Sequence, residues 1–138
     1  MKEKLIEEQW RPIRGYEGLY VVSNLGRVRS IGYVEDRILK QCLNKGYFIV
    51  TLSKCKKHTH FSVHRLVAEA FIPNPNNLPM INHRNEIKTD NRVENLEWCD
   101  CKYNCNYGSG LKRRIEKNKE TIRRRAKLVK KIKWNCKV

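Results

Sequence analysis

The sequence predicts an α+β fold: a small antiparallel β-rich N-terminal module, then a strand, loop, strand and helix forming a core, then a basic helical C-terminal arm. Three observations predict it. Between residues 10 and 63, short runs of β-branched and aromatic residues alternate with Gly- and Asn-containing turns. A single convincing apolar helical face follows at residues 64–71 and stops at Pro73 and Pro75. From Gly108 onward, thirteen Lys and Arg stand against two acidic residues in a stretch with helical spacing. At 138 residues the chain suits one compact domain, or two very small ones sharing a core.

Residues 1–9 are charged, with Leu5 and Ile6 the apolar exceptions beyond the initial Met, and read as a frayed lead-in. Order begins at Trp10. The turn Gly15-Tyr16-Glu17-Gly18 leads into a strand at Leu19-Tyr20-Val21-Val22, with Tyr16, Tyr20 and Trp10 as packing anchors. A second turn, Ser23-Asn24-Leu25-Gly26, precedes Arg27-Val28-Arg29-Ser30, where period-two geometry sets Arg27 and Arg29 on one face and Val28 on the other. After a turn in 31–37, residues 38–40 and 47–52 read as strands around the tight Asn44-Lys45-Gly46 hairpin. Lys54, Lys56 and Lys57 make a basic turn before a returning strand at 58–63.

In the helix at 64–71, Leu66, Val67, Ala70 and Phe71 share one face and form the floor under the loop that starts at His83. Three prolines and three asparagines in 72–79 make an ordered connector. Met80 and Ile81 then deliver Asn82 and His83 from a short strand, and Val93, Leu96 and Trp98 pack back on the floor helix. Asp100 is placed to cap a short helix over 101–107 that carries Asn104. Gly108-Ser109-Gly110 reads as a hinge, and 111–132 as a helix with Leu111, Ile115, Ile122, Leu128, Val129 and Ile132 loosely periodic. That stripe is narrow, so the arm is expected to order on a polyanion.

A net charge of +16 and a pI near 9.9 make nucleic acid the first partner to consider. A membrane surface competes, yet no apolar run approaches the roughly 18 residues needed to span a bilayer. No charged start followed by an apolar middle marks a secretion signal, so a cytosolic protein is expected. Cys42, Cys55, Cys99, Cys101, Cys105 and Cys136 are then free thiols. The C-x-C-x3-C spacing lacks the paired C-x2-C knuckles of structural zinc sites. His58, His60 and His64 spell H-x-H-x3-H, for which strand alternation into a helix start is the simpler account than a metal site.

Chemistry concentrates between residues 82 and 104. A neutral imidazole at His83 can take a proton from water, and Asn82 and Asn104 can offer neutral oxygen to a hard divalent cation. From the residues alone, an Asn-rich turn around a hydrogen-bonded histidine accounts for this stretch equally well. The basic residues Arg27, Arg29, Lys54, Lys56, Lys57, Arg84, Lys112, Arg113, Arg114, Arg123, Arg124 and Arg125 are candidates for phosphate contact, with solvated faces as the alternative.

The run VHRLVAEAFIPNPNNLPMINHRNEIKTDNRVENLEW (63–98) resembles the HNH endonucleases of the phage and intron homing type. WRPIRGYEGLYVVSNLGRVRS (10–30) is similar to the nuclease-associated modular motif that often precedes that domain. Together they cover most of 10–107 and leave the tail outside. The resemblance implies a β-rich DNA-binding module over 10–57, a ββα-metal (HNH) core over 58–107 and a basic arm over 108–138. It implies a site-specific nicking or homing endonuclease acting on double-stranded DNA, with His83 as general base and Asn82 and Asn104 as ligands. The ion would be Mg²⁺, with Mn²⁺ as the alternative. Asn95, by the same resemblance, hydrogen-bonds across the loop and orients the histidine. A monomer would nick one strand; a dimer would cut both. If the chain is phage-encoded, it works in the host cytoplasm.

Two departures stand out. Asn85-Glu86 occupies the place of a usual Asp-Gly turn, and Asn82 stands where many relatives carry Asp, which weakens the hold on a hard cation. The rival reading is a catalytically inactive DNA-binding regulator built on the same fold. No complete helix-turn-helix is legible in the tail, which reads as a truncated DNA reader.

Overall fold

A computed structural model describes residues 6–32 and 34–135. Strands β1 (Trp10–Pro12), β2 (Tyr20–Ser23), β3 (Val28–Ser30) and β4 (Arg37–Ile38) form one antiparallel sheet in sequence order. A second sheet holds β5 (Cys42–Asn44), β6 (Tyr47–Lys54) and β7 (Lys57–Ser62). The helix α1 (Val63–Phe71) follows, then the antiparallel pair β8 (Met80–His83) and β9 (Leu96–Cys99), with a 3-10 turn at Val93–Asn95 between them.

The predicted Asn44-Lys45-Gly46 hairpin is present. Lys45 and Gly46 both take positive φ, 51° and 85°, while Asn44 pairs with Tyr47, the arrangement that matches strand twist. At the basic hairpin between β6 and β7, Cys55 and Lys56 adopt positive φ without a glycine, which costs roughly 1–2 kcal/mol per residue.

One helix organises the first hundred residues. Val63, Leu66, Val67 and Ala68 of α1 are buried, and the helix touches all three sheets. Its neighbours in the core are Ile13, Val22, Val28, Val50, Leu52, Ile81 and Leu96. The segments 10–57 and 58–107 share a core, and the boundary expected at 57/58 falls inside the β6–β7 hairpin. Residues 1–100 form one unit and residues 101–138 another, so the division comes ahead of the expected 107/108.

The expected frayed lead-in is corrected where it is described. Asn24 holds residues 7–9: its Oδ1 accepts from Gln9 N at 2.9 Å, its Nδ2 donates to Glu7 O at 3.2 Å, and Glu8 pairs with Arg27. Residues 1–5 of that lead-in lie outside the described residues. Tyr16 and Tyr20 pack against the core as expected, whereas Trp10 serves as a platform for Arg27 and Arg29.

The second unit contains α2 (Cys101–Asn106) and α3 (Gly110–Asn135). The expected hinge is a tight turn in which Gly108 takes φ 53° and Gly110 N bonds Tyr107 O at 2.9 Å. Along α3, Leu111, Ile115, Ile122, Leu128 and Val129 are all 40–66% exposed, so the stripe covers no core. The Ile132 side chain and Cys136 lie outside the described residues; none of Cys42, Cys55, Cys99, Cys101 and Cys105 is in a disulfide among the described residues. No described helix is long and apolar enough to cross a membrane.

Candidate active site

Strands β8 and β9 pair Asn82 with Glu97 and His83 with Leu96, so the loop between them starts and ends beside the histidine. Asn95 closes that loop. Its Oδ1 accepts from Asn85 N at 3.0 Å, and its Nδ2 donates to Asn85 Oδ1 at 2.9 Å and Asp90 O at 2.8 Å. At the unusual Asn85-Glu86 step, Glu86 takes φ 61°, a conformation glycine adopts without strain, while Asn85 Oδ1 accepts from Ile87 N at 2.9 Å. Hydrogen bonds from Arg92, then from Asn85, draw the Asp90 pKa down to about 2.

His83 is 6% exposed. Its Nε2 lies 3.0 Å from Asn91 Oδ1. An amide oxygen only accepts, so in this orientation Nε2 carries the proton and Nδ1 keeps its lone pair. Asn95, expected to orient the ring, binds the loop instead; Asn91 is the residue that meets the imidazole. Asn95 lies at the end of the loop, directly before the strand, with its amide turned to the loop backbone. Nothing in the sequence distinguishes Asn91 from its neighbours, because the contact depends on how the loop folds back.

Two aromatic rings pack with the imidazole: His64 at 5.3 Å and Tyr47 at 6.0 Å between centroids. Burial lowers the pKa of His83, although the Asn91 bond and the charge on Asp90 oppose it. Burial, then the neighbouring His83, takes His64 down to about 4. Both rings are neutral at pH 7. Because the unfolded chain protonates His64 near its ordinary 6.5, the stability tied to it is whole above that pH and declines as pH falls toward 4. At about 1.4 kcal/mol per pKa unit the loss is at most about 3.5 kcal/mol, reduced by solvent screening of the half-buried ring. Urea midpoints at pH 5 and pH 7 should show this loss, and His64→Phe should flatten its share of the slope.

Asn82 is 6% exposed and donates from Nδ2 to Glu97 Oε1 at 2.7 Å, while Glu97 Oε2 lies 3.4 Å from Arg84 Nε. Glu97 was missed in the sequence; its only signal was the cross-strand register with Asn82. Asn82 Oδ1 and the Glu97 carboxylate are hard oxygen donors, a set that fits Mg²⁺ or Mn²⁺ better than soft metals. Among the described residues, no three His, Cys, Asp or Glu side chains gather as a metal site. Asn104 is half-buried on α2, in the second unit.

The basic candidates fall into separate groups. The guanidinium carbons of Arg29 and Arg27 sit 4.3 and 5.6 Å from the Trp10 ring centroid, with Arg29 also 3.5 Å from Asp36. Lys54 donates to Gly15 O at 2.7 Å, and Lys56 and Lys57 are exposed at the hairpin tip. Lys112, Arg113, Arg114, Arg123, Arg124 and Arg125 are exposed along α3, where Arg124 pairs with Glu120.

Residues 8–53 match the NUMOD4 motif. The structure resembles a solved structure of DNA binding and cleavage by the HNH homing endonuclease I-HmuI, with a TM-score of 0.67 and 33% identity over 86% of this chain and 66% of that one. The DNA endonuclease I-HmuI of Bacillus phage SP01 is 39% identical over 97 residues, 70% of this chain. Over most of its length the chain is thus similar to HNH homing endonucleases. An uncharacterized HNH endonuclease of Acanthamoeba polyphaga mimivirus is 40% identical over 124 residues, 86% of this chain. The chain spans 55% of the phage relative and 29% of the viral one.

Proposed function

We propose that this chain is a metal-dependent DNA endonuclease in which His83 is the general base. The observation that carries the reading is the His83–Asn91 bond, which occupies Nε2 with an acceptor and leaves Nδ1 to receive a proton from the attacking water. Low polarity around the ring keeps it neutral and able to act at pH 7. Asn82 and Glu97 would hold the cation; Asn104 is taken as a ligand from its place in the HNH signature alone. When bound, a divalent ion, Mg²⁺ in our reading, supplies charge that stabilises the phosphate and the leaving 3′ oxygen. In the first unit, Arg27 and Arg29 on Trp10, the Lys54–Lys57 hairpin and Arg84 would contact phosphates of double-stranded DNA, and in the second the α3 cations would do so by themselves. We read the protein as a monomer, with a dimer as the alternative, and, if it is phage-encoded, as acting in the cytoplasm of the host cell.

With one such site, supercoiled plasmid and Mg²⁺ should yield open circles before linear product. Tight, salt-sensitive binding with no cut in Mg²⁺ or Mn²⁺ would instead make the chain a DNA-binding regulator.

Asn82→Asp tests the cation site without relying on cleavage. It replaces the donor 2.7 Å from Glu97 by a second carboxylate, and two carboxylates that close do not both ionise cheaply. The variant should melt below the natural protein without metal and gain more from Mg²⁺. An equal metal response in both proteins would remove Asn82 from the site.

A further inference from the structure

The residue that meets the histidine is itself held from the N-terminal module. Gly26, in the turn between β2 and β3, is buried with φ +86°, and a Cβ placed there would stand 2.9 Å from Asn91 Cβ and 3.2 Å from Asn91 O. Backbone on the far side of that contact has little room to yield. The same turn is tied to the loop, since Asn24 O accepts from Val93 N at 2.9 Å, and Gln41 Nε2 donates to Gly26 O at 2.7 Å. Asn24 and Asn91 are 7% and 4% exposed, so water does not loosen the junction.

Asn91 depends on this support. Its Oδ1 faces His83, but among the described residues its buried Nδ2 has no hydrogen-bond partner to fix the amide. Rotating the amide by half a turn would present Nδ2 to the ring, and Nε2 would then have to accept. The proton would move to Nδ1, and the Nδ1 lone pair that the base needs would be lost.

We infer that the 24–26 turn of the NUMOD4 module is a positioning element of the active site, which through Asn91 fixes the Nε2-protonated tautomer of His83. The match to that motif ends at residue 53, so a module read as a DNA-binding attachment also completes the catalytic centre. This rests on His83 being the general base.

The test uses the full chain labelled with ¹⁵N-histidine, long-range ¹H–¹⁵N spectra of the ring nitrogens, and single-turnover nicking at saturating plasmid. Gly26→Ala is compared with Gly18→Ala, which has a similar φ of +77° but nothing within 4 Å of the added Cβ, so backbone strain is matched and the Asn91 contact is not. Gly26→Ala should mix the His83 tautomers and slow nicking by about tenfold or more, as small misplacements of a reacting group do. DNA affinity should stay within about threefold, since no phosphate contact is removed. Gly18→Ala should match the natural protein in spectrum and rate. An unaltered tautomer in Gly26→Ala, or the same change in Gly18→Ala, overturns the inference. If Gly26→Ala does not fold, Gln41→Ala releases the turn without strain and should shift the tautomer in the same direction; a natural spectrum there also overturns it. The spectra do not depend on cleavage, so nicking that survives His83→Ala would reject the base assignment while leaving the tautomer result to be judged separately.

Discussion

His83→Ala is expected to slow single-turnover nicking by about 10³-fold, within the 10²–10⁴-fold that a positioned general base contributes. The loss should appear in the rate at saturating DNA, because His83 is 6% exposed and offers little surface for phosphate binding. Removing the ring also opens space beside Tyr47 and His64, so a melting curve must accompany the assay. A folded His83→Ala protein that nicks at the natural rate would take the imidazole out of the mechanism.

Asn95→Ala and Asn104→Ala should separate two roles that the sequence writes with the same residue. Asn95 is 7% exposed and makes three hydrogen bonds inside the loop. At about 1 kcal/mol each, its loss should cost about 3 kcal/mol of stability. For a folded unit of this size that lowers the melting temperature by roughly 10–20 °C. Asn104→Ala should leave the melting temperature of the metal-free protein within about 2 °C, as substitutions outside a core usually do. Instead it should raise the Mg²⁺ concentration for half-maximal nicking by about tenfold or more, a typical cost of damaging a metal shell. Equal melting losses would mean that Asn104 is structural.

Much of the fold could be read without coordinates because local rules dictate it. The Lys45-Gly46 turn demands positive φ at both positions, and the α1 face repeats its apolar residues at the helical period. Domain division could not be read this way. Val22 and Val28 look like residues of a self-contained sheet, but they bury against a helix and strands that come later in the chain. The lead-in misled for a related reason: Glu8 and Gln9 gain order only through Asn24 and Arg27, and charge patterning does not reveal such partners.

The site divides along the same line. His83, Asn82, Asn95 and Asn104 could be singled out as candidates because the stretch that carries them resembles the HNH endonucleases, and the charge that draws the chain toward a polyanion is a sum over residues. Tertiary structure alone decided that Asn91 and not Asn95 meets the imidazole, that Glu97 stands against Asn82, and that Gly26 bears on the loop behind the ring. Each of those is a side-chain meeting set by loop closure and strand register. Distances of about 3 Å between residues far apart in the chain leave no periodic trace in it.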